Sequence, residues 1–343
     1  MRCKVFEKTC VVVAAAAMLM LVVGYATVNA QDAASFFEGN VVNFMVGYSP
    51  GGGYDTYSRL VASTMERYAK CTVVVRNMPG AGGLVALNYM YNTAKRDGRA
   101  MMIAPIGSQI AQLMGSPGVK YDCRQFNWLI RLTWEPQVVV VSRESPYKSF
   151  DDLRKPKKLL SPQTEVTGTS CLAALATAEA LGLDNLKIVP GRPGSTECVL
   201  AIVRGEGEVY SPSLGTVLQH KEELRPLLVV GRERVPELPD VPTVYELGPK
   251  KDSERFLEIF VAAWEIGRSI FAPQDVPQER VKFLRETLMK CLQDKEFLEK
   301  TEKLKRSIDP MPGEEVEVLV KKVMGLSAED IKALKHIVFE KYL

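Results

Sequence analysis

The chain has 343 residues and a formal net charge of +3, with 46% hydrophobic and 25% charged residues. These are the values of an ordinary globular protein, and the length corresponds to about two domains. No basic block is present, which argues against a nucleic-acid partner.

The first thirty residues read as a leader. Arg2, Lys4 and Lys8 make a positive start, and residues 11–23 are an unbroken apolar run. Val28-Asn29-Ala30 places small residues at the −3 and −1 positions of a cleavage site. This is the pattern of a secretory signal peptide over 1–30; a membrane span needs about 20 apolar residues. An uncleaved anchor is the competing reading. Cleavage lowers the net charge from +3 to about +1 and leaves a mature chain expected to be exported to the periplasm. Five cysteines remain: Cys71, Cys123, Cys171, Cys198 and Cys291. They are scattered and form no Cys-x-x-Cys pair, so no metal site and no disulfide pairing is assigned.

After the leader, "VVNFMV" (41–46) reads as a strand. Three glycines follow, then Leu60, Val61, Thr64, Met65 and Tyr68 recur at helical spacing. "CTVVVRN" is a second strand and "MPGAGG" a second glycine-rich loop. Leu84, Leu87, Met90 and Tyr91 form another helical face, and "AMMIAP" is a third strand. The alternation β-loop-α-β-loop-α-β predicts a parallel sheet covered by helices on both faces. Both glycine loops follow strands, so both are expected at the carboxyl edge of that sheet, where ligands bind in open α/β folds.

"PQVVVVSRES" (136–145) reads as a strand leading out of this unit. A second α/β set follows, with helices near 172–181 and 196–204 and strands "LKIVP" and "PLLVVG". "RVPELPDVPTVYELG" is punctuated by proline and mostly irregular. "AAWEIGRSIFAP" leads back, and long amphipathic helices are expected over 277–300 and 313–340. The expected architecture is α/β: two lobes joined by crossing strands, with one lobe at 38–137 plus 256–343 and the other at 138–255.

Helix N-termini leave up to four amides without intrahelical partners, and the helix dipole adds about half a positive charge there. Such ends bind anions without lysine or arginine. Gly51, Gly52 and Gly53 precede one helix; Gly80, Gly82 and Gly83 precede the next. Two such ends on one edge suggest a clamp for a carboxylate or a phosphate; plain turns are the alternative. Asp55 is expected at the N-cap of the first helix, where its oxygen would satisfy one or two amides. A phosphate-binding P-loop fails, because Gly53-Tyr54-Asp55-Thr56 stands where Gly-Lys-Ser/Thr is needed. A dinucleotide fingerprint fails at Val85. The only histidines, His220 and His336, lie in charged helical surroundings, and no His-Glu-x-x-His motif occurs. No catalytic residue, cofactor or metal is assigned.

Five ordered segments carry a resemblance to a known family. "VGYSPGGGYD", "VVVRNMPGAGGLVALNYMY", "KRDGRAMMIAP", "RERVPELPDVPTVYELG" and "SIFAPQDVPQERVKFL" run from about residue 41 towards the C-terminus. Together they resemble the Bug-type extracytoplasmic receptors of tripartite tricarboxylate transporters. The resemblance implies a type II periplasmic-binding fold with a ligand cleft between two lobes, and delivery of the ligand to membrane permease subunits. It implies that the first two loops hold a small organic carboxylate through amides, hydroxyls and bridging waters. Transferred by motif, Ser49, Gly51, Gly52, Asp55, Gly80, Ala81 and Gly82 line that half, with Gly107, Ser108 and Gln109 after the third strand.

For the second lobe, Thr167-Gly168-Thr169-Ser170 precedes a helix as a Gly-x-x-Ser segment does in the family, and Thr169 and Ser170 are assigned to the far end of the ligand, against N-capping by Ser170. Arg192 is assigned to a second carboxylate, against a solvated arginine. Tyr210 departs from the family pattern, which has an aspartate there. A hydroxyl in place of a charge argues against an amino-acid ligand and for a di- or tricarboxylate, or an aromatic acid stacking on Tyr48, Tyr54 or Trp134. A sensory role, reporting the ligand to a membrane sensor kinase, is the alternative function; an exported α/β enzyme is the third.

Overall fold

The computed structural model describes residues 33–192 and 194–343. The leader assigned to 1–30 lies outside them. The first lobe begins β1 (Val41–Val46), α1 (Gly53–Ala69), β2 (Thr72–Asn77), α2 (Leu84–Asn92), β3 (Ala100–Ile103). A short α3 (Ser108–Leu113) leads to β4 (Asn127–Arg131). β1 pairs in parallel with β2 and with β3, Val41 opposite Thr72 and Val46 opposite Ile103. The two glycine loops therefore share one carboxyl edge, as the alternation of periods required.

Side-chain alternation in β1 explains the layering. Val42, Phe44 and Val46 pack with Tyr57, Val61 and Met65 of α1. Met45 points to the other face and packs with Ala86, Leu87 and Met90 of α2. Period 2 in the strand and period 3.6 in the helices thus bury both faces.

The second lobe holds β5 (Gln137–Ser142), β6 (Leu159–Pro162), α4 (Thr169–Leu181), β7 (Leu186–Val189) and α5 (Ser195–Val203). It continues through β8 (Val209–Tyr210), α6 (Leu214–Gln219) and β9 (Leu224–Val230). β8-β5-β9 form an antiparallel sheet and β6-β7 a parallel pair. The Glu208 amide donates to Leu160 O at 2.9 Å, which ties the two together.

The chain then runs through α7 (Lys251–Glu265) and returns as β10 (Ser269–Ala272). It ends with α8 (Gln278–Gln293), α9 (Lys295–Lys303), β11 (Met311–Pro312), α10 (Gly313–Met324) and α11 (Ala328–His336). The first sheet has the order β2-β1-β3-β10-β4-β11. β10 lies antiparallel between β3 and β4. The chain leaves this sheet after β4 through 132–136 and comes back into its middle through 266–268, so residues 256–265, expected with the first lobe, precede the return; the C-terminus, also expected there, reaches the second lobe, where Ile188 N–H donates to Tyr342 O at 2.9 Å. The outward and returning crossings are bonded to each other: Arg268 N–H donates to Thr133 O at 2.8 Å, and Leu132 N–H to Arg268 O at 3.0 Å.

Several elements differ from the sequence reading. β4 was not anticipated. Nor was α7, whose end "AAWE" the sequence places with the returning segment. α7 buries Leu257, Phe260, Val261 and Trp264 in the same core as α4 and α10. The expected helix over 277–300 breaks at Asp294, which is extended (ψ 129°) and caps α9 by accepting from Phe297 N–H at 3.0 Å. The expected helix over 313–340 breaks at 325–327, where Ser327 and Asp330 form a capping box at the start of α11. All five described cysteines are buried and unbridged. His220 contacts Glu223 at 2.7 Å and His336 contacts Glu340 at 2.8 Å, both within local helical surroundings.

Candidate ligand-binding cleft

α1 starts at Gly52, which caps it without any side-chain hydrogen bond. Thr56 N–H donates to Gly52 O at 2.9 Å as the first rung of the ladder. The amides of Gly53, Tyr54 and Asp55 precede that ladder. Asp55 is not the N-cap, as the sequence reading had it; it sits one turn in and reaches backwards. Its carboxylate accepts from Gly51 N–H at 2.9 Å, from Asn77 Nδ2 at 3.0 Å and from Arg59 Nε at 2.9 Å. The side chain is 5% exposed. Asp55 organises the loop, and the Gly51 amide is committed to it.

The Arg59 hydrogen bond, working against burial and helped by Gly51 and Asn77, holds the Asp55 carboxyl at about 2. A depressed folded value means stability that is present above the ordinary aspartate range and is lost as pH falls towards 2. With an exposed arginine as partner, the contribution is about 1–2 kcal/mol. Asp55→Asn is expected to unfold more easily at pH 7 and to lose the part of the wild-type stability decline that lies between about pH 4 and 2. Parallel urea titrations at several pH values measure this; identical pH profiles would remove Asp55 from that role.

Three loops are clasped together at this edge. The Tyr48 and Tyr54 rings stack with centroids 4.6 Å apart. Tyr48 hydroxyl donates to Gly82 O at 3.3 Å, and Tyr54 hydroxyl accepts from Ile106 N–H at 3.0 Å. Burial, with Tyr54 and Glu165 adding, pushes the Tyr48 hydroxyl well up, so it stays a neutral donor. These rings pack on each other.

Two guanidinium groups converge on the start of α1. A methyl group placed on Gly53 would lie 3.8 Å from Arg306 Nη1 and 4.0 Å from Arg268 Nη2. Arg268 lies 5.5 Å from the ring centroids of both Tyr54 and Tyr57. It pairs with Glu135 at 3.3 Å, both side chains nearly buried. Glu135 belongs to the outward crossing and Arg268 to the return. The sequence reading described an amide-only site and missed both arginines. Each is remote in sequence from the glycine loops, and no local motif marks either.

The lobes meet over the other two loops. Gly82 has φ +63°, a backbone state that favours glycine, and a methyl group there would lie 2.8 and 3.1 Å from the Glu165 carboxylate oxygens. Glu165 stands in the loop before α4 and was also missed; a lone glutamate among Thr164, Val166 and Thr167 looks like solvated surface. A methyl group on Gly107 would lie 3.4 Å from Thr167 O. Ser49, Gly51, Gly52, Gly80 and Ala81 are exposed at this edge. Ser108 and Gln109 are buried; Ser108 Oγ donates to Gln109 Oε1 at 3.2 Å. Gln109 Nε2 is buried and has no hydrogen-bond partner among the described residues.

In the second lobe Gly168, not Ser170, caps α4. Ser170 Oγ donates to Gln163 Oε1 at 2.7 Å, and Gln163 Nε2 donates to Ser161 Oγ at 2.9 Å. Thr169 is half-buried beside it. Tyr210 is 1% exposed, and burial pushes its hydroxyl up to about 12 while Ser195 and Ser170 bond to it. It therefore braces Ser170 from inside the lobe. Arg192 pairs with the chain's own Glu206 at 2.8 Å.

The profile of the tripartite tricarboxylate transporter family receptor matches residues 57–338. The chain belongs to this receptor family. An Agrobacterium vitis relative, the UPF0065 protein in the TAR-I ttuE-ttuC' intergenic region, is 30% identical over 282 residues, covering 79% of the receptor and 76% of the relative. The receptor is similar in fold to the periplasmic binding protein BugD, with TM-score 0.68 and 23% identity over 86% of this chain and 97% of that one. It is also similar to Rpa4515 of R. palustris, solved with adipate, with TM-score 0.68 and 20% identity over 87% and 97%. These likenesses show a two-lobed periplasmic-binding fold and a solute-binding family. Among the described residues no helix is long and apolar enough to cross a membrane.

Proposed function

We propose that the receptor is exported by its leader, captures a small organic carboxylate between its two lobes, and hands it to membrane permease subunits. It binds without catalysing. One observation carries the reading: the leading amides of α1 and the two guanidinium groups of Arg268 and Arg306 converge at the edge where the lobes meet. An anion there gains charge-assisted hydrogen bonds in partly desolvated surroundings. The family supports a receptor role, and the adipate in Rpa4515 supports an organic acid as the ligand class. Ser49 and Gly52 flank this end. Gly80, Ala81 and Gly82 with Gly107, Ser108 and Gln109 form the cleft floor, and Thr169 and Ser170 the facing wall.

Gly53→Val tests the placement. Gly53 has ordinary helical geometry, so added methyl groups obstruct the amides and guanidinium groups without backbone strain. Loss of one charge-assisted hydrogen bond costs about 1.5–3 kcal/mol, so affinity should fall about tenfold to a hundredfold. A thermal-shift panel of organic acids identifies a working ligand, since about 100 Kd of ligand adds about 2.7 kcal/mol. Isothermal titration then compares the proteins; equal affinity in a folded Gly53→Val variant would place the acid elsewhere.

A further inference from the structure

Glu165 brings a carboxylate into the cleft with nothing of the protein's own to answer it. Its oxygens lie 2.8 and 3.1 Å from a methyl group placed on Gly82, so it faces the opposite lobe at close range. The side chain is half-buried, and among the described residues it takes part in no hydrogen bond or ion pair. The groups around it are committed elsewhere. Tyr48 hydroxyl donates to Gly82 O, Tyr54 hydroxyl accepts from Ile106 N–H and is hydrogen-bonded to Tyr48, and Arg268 pairs with Glu135. Cys171, behind it on α4, is buried, and its thiol is pushed up by burial and by Glu165. Burial alone raises the Glu165 carboxyl. A carboxylate taken partly out of water is stable when a cation or a donor reaches it.

The cleft is therefore polarised. Arg268 and Arg306, with Glu135 offsetting one of the two charges, and the start of α1 leave one end net cationic; Glu165 makes the other anionic. The Tyr48–Tyr54 stack lies between them, within electrostatic reach of both Arg268 and Glu165. A diacid seated by one carboxylate on α1 would bring its second charge towards Glu165, and like charges repel. A cationic nitrogen at that end would pair with Glu165 and sit near aromatic faces that attract cations. We infer that Glu165 is a specificity-determining residue and selects an acid whose far end carries a cationic nitrogen. This rests on the carboxylate-receptor reading and sharpens its ligand class away from di- and tricarboxylates.

The test is isothermal titration of the full mature protein and of Glu165→Gln with two matched series. One is butyrate, γ-aminobutyrate and succinate; the other is caproate, ε-aminocaproate and adipate. Within each series only the far group changes. In the wild type, at least one amino acid is expected to bind about tenfold or more tighter than its diacid, and Glu165→Gln is expected to abolish that ratio. Glu165→Asp, which keeps the charge, should keep the sign of the preference, and it carries the comparison if Glu165→Gln does not fold. A wild type that favours the diacids, or a preference unchanged in Glu165→Gln, overturns the inference and leaves the carboxylate reading standing. No binding of any of the six acids to either protein overturns both.

Discussion

Arg268→Met is expected to destabilise the receptor by about 3–5 kcal/mol, the effect of leaving one member of a buried pair alone. Arg268 and Glu135 lie 3.3 Å apart with side chains only 13% and 9% exposed. Burial opposes the arginine's charge, yet Glu135 and the neighbouring tyrosines more than compensate, so its affinity for the proton rises. Removing the guanidinium strands Glu135, whose other contact is a 3.3 Å hydrogen bond from Ser307 Oγ. Adding Glu135→Gln to the same chain should recover much of the loss, because the stranded charge is what costs. Urea denaturation measures both: the midpoint of Arg268→Met should fall with little change in slope. Equal midpoints for wild type and single variant, or no recovery in the double, would mean the pair does not act in this way. Since the pair joins the outward and returning crossings, its loss is also expected to alter the relative setting of the lobes.

Gly267→Ala should be nearly as damaging, by about 2–5 kcal/mol. Gly267 has φ +62°, and a Cβ there would lie 2.3 Å from Thr133 O and 3.0 Å from both Arg131 Cδ and Trp134 Cβ. Left-handed backbone costs an L-residue about 1–2 kcal/mol, and forcing atoms into a packed interior costs about 1–3 more. The obstacle is the backbone of the other crossing, which cannot turn aside as a flexible side chain would. It is held there by the Arg268 N–H bond to Thr133 O, one residue along. The crossings therefore have to separate for the variant to fold. A variant with the wild-type melting temperature and the same lobe setting in a crystal structure would show that they are looser than this packing implies.

The glycine loops illustrate what local chemistry can specify. Residues 41–103 alternate between periods of 2 and 3.6 with glycines at the changeovers, and every strand and helix expected there is present. The signal is strong because each element buries one face against its immediate neighbour in the chain. β4 lacked such a signal. "NWLIR" is short, and its buried residues are matched by β10 and β11, which lie more than a hundred residues away. α7 was hidden for a related reason. It packs on α4 and α10 at once, so its apolar end is as continuous as a strand. The breaks at Asp294 and Ser327 were written in capping residues but masked by the continuous amphipathic spacing on either side.

The site divides along the same line. Chain order alone determined that two amide-rich turns share the carboxyl edge of one sheet, because parallel pairing follows from alternating strands and helices. It also carried the family motifs. Only the fold decided which groups surround those turns: Asp55 turned back onto Gly51, Arg268 and Arg306 at the head of α1, Glu135 across the crossings, and Glu165 over Gly82. Those charges come from segments far apart in the chain. Their mutual distance is set by the return of β10 into the middle of the first sheet, a long-range event that leaves no periodic trace in the residues themselves.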